Sequence, residues 1–572
     1  MLKSILKFLL GSFLTFLALI LVIVLIAAFT MGPDVPKNAL LVLNLSGPLA
    51  EQGAQTWKER ILLGEILTTH QVLRSLEKAQ SDGRIKALIV RSLWAQIGFG
   101  KAQELRAAIQ NFASRSKKPV VGFVEDGGTM DYYVCSAAPR VYMPPDGDSW
   151  FTLLGLRAEV PFVRGTLDKL GIVAQLDHIG VYKSGSDIYT RERMSDPDRE
   201  AVNSLLDSLY LRLTADIAKD RKLSQSQTEM LIDQAPFIGT ELKKKHLVDD
   251  LLYSDQVVEL IKKDAKLKDL EEIAVLEYSK PTFSETIAEA EIRIGIVYAS
   301  GTIMPGESSK GWGENIMGSQ TIAKALRQAG KDESVKAVVL RVDSPGGSPS
   351  ASDLIWREVQ NTSKKKPVVV SMADLAASGG YYISMGASRI FANPSTITGS
   401  IGVYGGKFYL KGLYDKIGLN KEIIKRGEHS DLFSDYVPFG EEEWNIIRKH
   451  MAFTYDSFTR KAAEGRKKTQ QQIDEVAQGR VWTGDQSAEL GLVDQTGGLG
   501  EAIEEAKKLA KITDKKVGFI EYPISEGGFS DFFSSKHNVY LFPEELKELM
   551  LWAQIAKQEH VLLVMPYKFF IN

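Results

Sequence analysis

The sequence predicts an α/β protein made by tandem duplication of one βαβ unit and preceded by a single N-terminal transmembrane helix. Three observations lead there. Apolar runs of strand length alternate with helical patterns, the signature of βαβ units on a parallel sheet. The same runs recur about 250 positions further on. And no charge interrupts Phe8–Met31, a stretch of 24 residues. At about 1.5 Å of rise per residue, a helix of that length exceeds the roughly 30 Å of bilayer hydrocarbon.

The elements follow in order. Lys3 and Lys7 precede the apolar run and place the short N-terminus in the cytoplasm, with everything after Lys37 outside it. The apolar core of a cleaved signal peptide is shorter, about 7–15 residues, so an uncleaved anchor through residues 8–31 is expected. Ala39–Leu45 reads as a strand, residues 69–80 as an amphipathic helix and Ile85–Arg91 as a second strand. Lys101–Ala113 is helical and Pro119–Val124 a third strand. A long helix with a proline near its start, Asp196 to Lys222, closes this half. The order then restarts. Ile294–Ala299 is a strand, Gln320–Gln328 a helix, Lys336–Val342 and Pro367–Ser371 are strands, and Glu441–Lys468 is the long helix. The expected division is 1–36 for N-terminus and anchor, 37–265 for the first repeat, 266–290 for a charged linker, 291–510 for the second repeat and 511–572 for an extension. Val561–Val564 in that extension is too short to span a bilayer and reads as core or interface.

The duplication is visible residue by residue. Ile85-Lys-Ala-Leu-Ile-Val-Arg91 returns as Val335-Lys-Ala-Val-Val-Leu-Arg341, and Lys117-Lys-Pro-Val-Val121 as Lys365-Lys-Pro-Val-Val369. Tyr132-Tyr133 returns as Tyr381-Tyr382, and Leu247-Val-Asp249 as Leu492-Val-Asp494.

Composition narrows the function. With 44% apolar and 25% charged residues the chain is an ordinary globular protein, and its net charge of −2 gives no field that would draw nucleic acid. Its one cysteine, Cys135, excludes an intrachain disulfide and cysteine-based zinc sites. The seven histidines show no metal-binding spacing, so neither metal nor cofactor is expected.

The chemistry concentrates where the copies differ. In the second copy a β run leads into Ala376-Ala-Ser-Gly-Gly380 and then a helical pattern, and Asp343-Ser-Pro-Gly-Gly347 follows the preceding strand. A serine at a strand-to-helix junction, with glycines that let backbone N–H groups approach a developing oxyanion, suits acyl transfer. The first copy has Thr129-Met130 and Leu93-Trp-Ala-Gln-Ile97 at these places. A serine hydroxyl also needs a base. No histidine stands in a suggestive context near Ser378, whereas the first copy carries Tyr182-Lys183-Ser184, and the second has Leu432 at the corresponding spacing.

Taken together, Ser344-Pro-Gly-Gly347, Ala376-Ala-Ser-Gly-Gly-Tyr-Tyr382, Thr398-Gly-Ser-Ile-Gly-Val403 and Tyr182-Lys-Ser184 resemble the long, duplicated form of the bacterial signal peptide peptidase A family. The resemblance covers nearly all of residues 37–510 and the anchor. It implies a crotonase/Clp-protease-like superhelical unit in each repeat and a membrane-anchored serine peptidase with a Ser–Lys dyad. It further implies Ser378 as nucleophile, Lys183 as general base, Ser400 orienting the lysine, and Gly346 and Gly379 forming the oxyanion hole. The expected substrates are short hydrophobic peptides such as spent signal peptides, and the expected assembly is a homotetramer at the outer face of the cytoplasmic membrane. Two other classes compete: a crotonase-type acyl-CoA enzyme, disfavoured by the anchor, and a non-catalytic membrane scaffold, disfavoured by the intact Ser378, Gly346-Gly347 and Lys183. A free lysine titrates near 10.4 and must lose its proton roughly 3 pH units lower to act as a base, a change of about 4 kcal/mol. A dry cleft without a carboxylate can supply that, so Asp187 is expected to point away from Lys183.

Overall fold

A computed structural model describes residues 11–20, 22, 33–53, 64–145, 151–281, 291–311, 314–513, 517–524, 561–565 and 569–571. Two large sheets, one from each repeat, form its frame. The first runs Asp250–Leu251, Arg140–Met143, Val120–Gly128, Ile85–Gln96, Ala39–Pro48, Glu271–Ala274, with all neighbours parallel. The second runs Val481–Thr483, Ile397–Gly399, Val368–Ala377, Val335–Ser344, Arg293–Ser300, Gly518–Tyr522, parallel except at the Ile397–Gly399/Val481–Thr483 edge.

The strands read as unbroken apolar runs because both faces are covered. Leu41 and Leu43 enter one core while Leu40 and Val42 enter another on the opposite face. Val338 and Leu340 likewise part from Ala337 and Val339. The helices between strands carry their own start signals: Thr68 accepts from the Gln71 N–H ahead of Thr69–Ser81, and Ser348 does so from Ala351 ahead of Pro349–Ser363.

The recurring motifs recur for structural reasons. Lys118 donates to the carbonyls of Ala79 and Asp82, and Lys366 to those of Ala329 and Asp332, each closing the C-terminal end of a helix. The Tyr132 hydroxyl donates to the Leu247 carbonyl and the Tyr381 hydroxyl to that of Leu492. Asp249 accepts from the Val141 N–H as Asp494 accepts from that of Ile390.

The halves meet over many contacts, two of which frame the site. Arg341, wholly buried, crosses from the second sheet to Glu51 and Glu104 of the first repeat, with guanidinium-to-oxygen distances of 2.7–3.3 Å. Burial pushes the Glu104 carboxyl up. It pushes Glu51 up too, but the bidentate Arg341 contact outweighs it and holds that carboxyl below its usual value. The second junction is a seven-stranded sheet in the order Ser309–Gly311, Glu314–Gly318, Thr302–Met304, Gly346–Gly347, Val561–Val564, Val403–Tyr409, Val173–Ile179. Here a strand of the first repeat, Val173–Ile179, lies antiparallel to one of the second, Val403–Tyr409, with Ile179 opposite Val403.

The repeats reach further than the sequence suggests. Glu271–Ala274, inside the segment read as linker, is an edge strand on Ala39–Pro48, and Gly518–Tyr522, inside the segment read as extension, is its counterpart on Arg293–Ser300. Strands of four or five residues flanked by charge escape a reading based on apolar runs. Val561–Val564 is a buried strand, as core. Most of the expected anchor lies outside the described residues. The described part, 11–20 and 22, is helical with Phe13, Leu14 and Phe16 exposed, and among the described residues no helix is long and apolar enough to cross a membrane.

Candidate active site

Ser378 sits where the strand Val368–Ala377 ends and the short helix Gly379–Ser384 begins. Its backbone, at φ 53° and ψ −110°, is in a region that costs a side-chain-bearing residue on the order of 1–3 kcal/mol. The surroundings hold it there: its N–H donates to the Gly399 carbonyl at 2.8 Å, and its own carbonyl accepts from the Tyr382 N–H at 2.9 Å. The Ser378 Oγ meets a side chain that comes from the other repeat.

Lys183 arrives from the first repeat. It follows Val173–Ile179 by four residues, as Ser400 precedes Val403–Tyr409 by three, so the antiparallel register of these strands carries both to one spot. The Lys183 Nζ lies 2.8 Å from Ser378 Oγ, 3.0 Å from Ser400 Oγ and 3.0 Å from the Ser400 carbonyl oxygen. Lys183 and Ser378 are wholly buried. Burial alone holds the Lys183 amine well below its usual value, with no charged neighbour contributing. Asp187 faces elsewhere, 3.8 Å from both His178 and Arg191.

The glycines behave as close-approach positions. A Cβ on Gly346 would lie 2.7 Å from the Gly379 nitrogen, and one on Gly379 would lie 3.0 Å from the Gly346 Cα and the Gly347 nitrogen. Gly346, at φ 106°, takes a conformation that L side chains rarely adopt. Its N–H donates to Ser344 Oγ at 3.2 Å, and that hydroxyl donates on to the Gly301 carbonyl at 2.7 Å. In the first copy the corresponding junction is plugged: Thr129 Oγ1 donates to the Leu154 carbonyl at 2.8 Å. His429 pairs at the surface with Glu442, 3.8 Å away.

The structure thus brings Ser378, Lys183, Ser400, Gly346 and Gly379 into one buried cluster. Two contributors have no motif of their own. Gly479, at φ 81°, packs its Cα against the Lys183 backbone, and its N–H donates to the Ile401 carbonyl at 2.8 Å while the Gln478 carbonyl accepts from the Tyr182 N–H at 2.8 Å. Lys101 of the first repeat lies 3.2 Å from Asp343 and 3.0 Å from Asp374, clamping together the strands that lead to Gly346 and to Ser378. Its amine is raised above the usual lysine value because the two carboxylates and Glu51 outweigh burial. The signal for Gly479 was a glycine after Gln478 in an otherwise ordinary turn, and Lys101 reads as one more helix-surface charge. Among the described residues no cluster of acidic, histidine or cysteine side chains could hold a metal ion.

Comparison with known proteins agrees with this division into copies. The model of peptidase family S49 matches twice, at residues 113–268 and 360–513. The chain is 35% identical over 495 residues to a protein named serine protease SPPA, chloroplastic, of Arabidopsis thaliana, covering 85% of this chain and 72% of that one. It is 30% identical over 539 residues to Protease 4 of Haemophilus influenzae, covering 86% and 83% respectively, and 33% identical over 410 residues to Protease 4 of Salmonella typhi, covering 69% and 65%. Two matches to one family model in a chain with two homologous sheets, and relatives of this length, lead to one conclusion: the chain belongs to peptidase family S49, as a serine peptidase of the duplicated SppA form.

Proposed function

We propose that the chain is a membrane-anchored endopeptidase working through a Ser378–Lys183 dyad shared between its two repeats. The observation that carries this is the 2.8 Å approach of Lys183 Nζ to Ser378 Oγ in a buried site where no carboxylate meets the amine. A neutral amine there has two N–H groups for the Ser400 carbonyl and hydroxyl, which leaves its lone pair for the Ser378 proton. Ser378 Oγ attacks the scissile carbonyl as Lys183 takes that proton, and the resulting ammonium then protonates the leaving amine. Water, deprotonated by the same amine, releases the acyl group. The N–H groups of Gly379 and Gly346 hold the oxyanion, the latter after turning from Ser344 Oγ.

The uncharged run at residues 8–31 supports an anchor that places this chemistry outside the cytoplasm, where short hydrophobic peptides such as signal-peptide remnants are the substrates. Exposed Ile417, Ile423, Ile424 and Phe433 favour assembly, and a homotetramer is proposed. The test is labelling by a serine-reactive fluorophosphonate. Wild type is labelled at Ser378, while Ser378→Ala and Lys183→Ala are not labelled and cleave no peptide although both stay folded. Retention of most activity by either variant would refute the dyad.

A further inference from the structure

The motif Tyr182-Lys183-Ser184 contains a ring that the dyad chemistry does not use. Tyr182 stands instead where three backbone segments cross: residues 179–182 of the first repeat, and 401–402 and 478–480 of the second. Glycines let these segments touch. A Cβ on Gly180 would lie 2.5 Å from the Gln478 carbonyl carbon, and one on Gly402 would lie 2.9 Å from the Gly479 Cα and 3.1 Å from the Ile179 carbonyl oxygen. Arg480 ends the third segment and holds both of the others. Its carbonyl accepts from the Ser400 N–H at 2.7 Å. Its guanidinium carbon lies 4.9 Å from the centre of the Tyr182 ring and 4.4 Å from that of Trp482, within range of cation–π attraction. Nη1 donates to the Tyr182 hydroxyl at 3.2 Å and to Glu200, on the long helix Asp196–Arg221, at 2.6 Å.

We propose that Arg480 is a positioning residue for catalysis: its carbonyl fixes the Ser400 turn, and its guanidinium, seated on the Tyr182 ring, fixes the turn that carries Lys183. The proposal rests on the dyad reading of the site. Each turn needs holding. Ser400 is at φ 51°, a left-handed conformation that a residue with a side chain does not favour by itself. Yet Ser400 supplies two of the three contacts of the Lys183 amine, its carbonyl and its hydroxyl, at 3.0 Å each. Lys183 follows Tyr182 directly, so a tilt of the Tyr182 backbone passes to the base through one rigid peptide plane. Tyr182 is tied to the 478–480 turn twice, by its ring to Arg480 and by its N–H to the Gln478 carbonyl at 2.8 Å. Arginine suits the task. Its planar guanidinium lies against a ring while its fork reaches a hydroxyl and a carboxylate, which an ammonium on a flexible stem cannot reproduce. None of these contacts is with a reacting atom, so Arg480 acts through the two turns it joins.

Kinetics of the full chain on a fluorogenic apolar peptide test this, with thermal unfolding measured alongside. Arg480→Met, which keeps an apolar stem, is expected to lower kcat about tenfold or more and to leave KM within about twofold. The acid limb of the kcat/KM profile is expected to move to higher pH, because a loosened turn admits water to the amine. Burial alone depresses that amine and no charged group contributes, Arg480 included, so the shift reports hydration and not a missing cation. Tyr182→Leu, at a half-buried position, should reproduce both effects even if Arg480→Met fails to fold. Tyr182→Phe, which keeps the ring, should lose at least about threefold less. In the double variant the losses of Arg480→Met and Tyr182→Leu should not add, as for partners acting through one contact. An unmoved acid limb, a kcat within about threefold of wild type, or fully additive losses would each overturn the proposal and leave the dyad standing. Absence of fluorophosphonate labelling at Ser378 in wild type would overturn the dyad, and this role with it.

Discussion

Replacing Gly479 with alanine should disable the site without touching either dyad member. The new Cβ would lie 2.5 Å from the Lys183 Cβ and backbone nitrogen and 2.6 Å from its Cα. These fall about 1 Å short of ordinary carbon contact at about 3.5 Å. The crowded atoms are backbone and Cβ, so no rotamer change relieves them, and φ 81° adds about 1–2 kcal/mol of left-handed strain. The turn that holds Lys183 must therefore retreat by about 1 Å. A misplacement of that size costs a catalytic group about 10²-fold in rate, or about 2.7 kcal/mol. The assay is kcat/KM on a fluorogenic apolar peptide, with thermal unfolding alongside. Gly500→Ala is the control, since a Cβ there meets nothing within 4 Å. Activity of Gly479→Ala within threefold of wild type, in a folded protein, would refute the argument that this turn sets the position of the amine.

Other outcomes follow from the same structure. Because burial holds the Lys183 amine low, kcat/KM should climb as pH rises through that depressed value and then level off, and a pH profile flat on its acid side would contradict this. The same depression destabilises the fold: below about pH 10.4 the unfolded chain binds a proton that the folded site refuses, so stability falls as pH drops from there towards the folded value. Lys183→Met, inactive, should accordingly melt above wild type at pH 7, the gap closing towards pH 10. Arg341→Met leaves Glu51 and Glu104 buried without their cation and should lower stability by about 3–5 kcal/mol in urea titration, whereas Arg84→Met, at an exposed pair, should change it by less than about 1 kcal/mol. Lys101→Met should lower kcat with little change in KM, and Lys101→Arg should recover part of the loss.

The parts of this architecture that declare themselves in the sequence are those fixed by local pattern. Strand and helix order follows from periodicity. The copied Lys-Pro-Val-Val, Tyr-Tyr and Leu-Val-Asp motifs each perform the same hydrogen-bonding task in both halves, which is why they survive. Ser378 and Lys183 stand out because each is present in one copy and missing from the other. What stays hidden depends on pairing across long separations. Val561–Val564 is visibly apolar, but periodicity reports burial and not the partner, so its place between Gly346 and Tyr404 could not be read. Gly479 matters through a backbone almost 300 positions earlier. Arg341 matches Arg91 in the repeat, yet Arg91 pairs at an exposed edge with Glu272 while Arg341 is sealed inside.

The separation of the proposed dyad has a consequence for how the enzyme comes into being. The amine and the hydroxyl are 195 positions apart, and the strand that unites them pairs across the two repeats. A ribosome that has finished only the first repeat has made a base with nothing to activate. On that proposed dyad, hydrolytic power arrives only once the second repeat has been made and has paired with the first, so a half-made chain would be harmless to its neighbours.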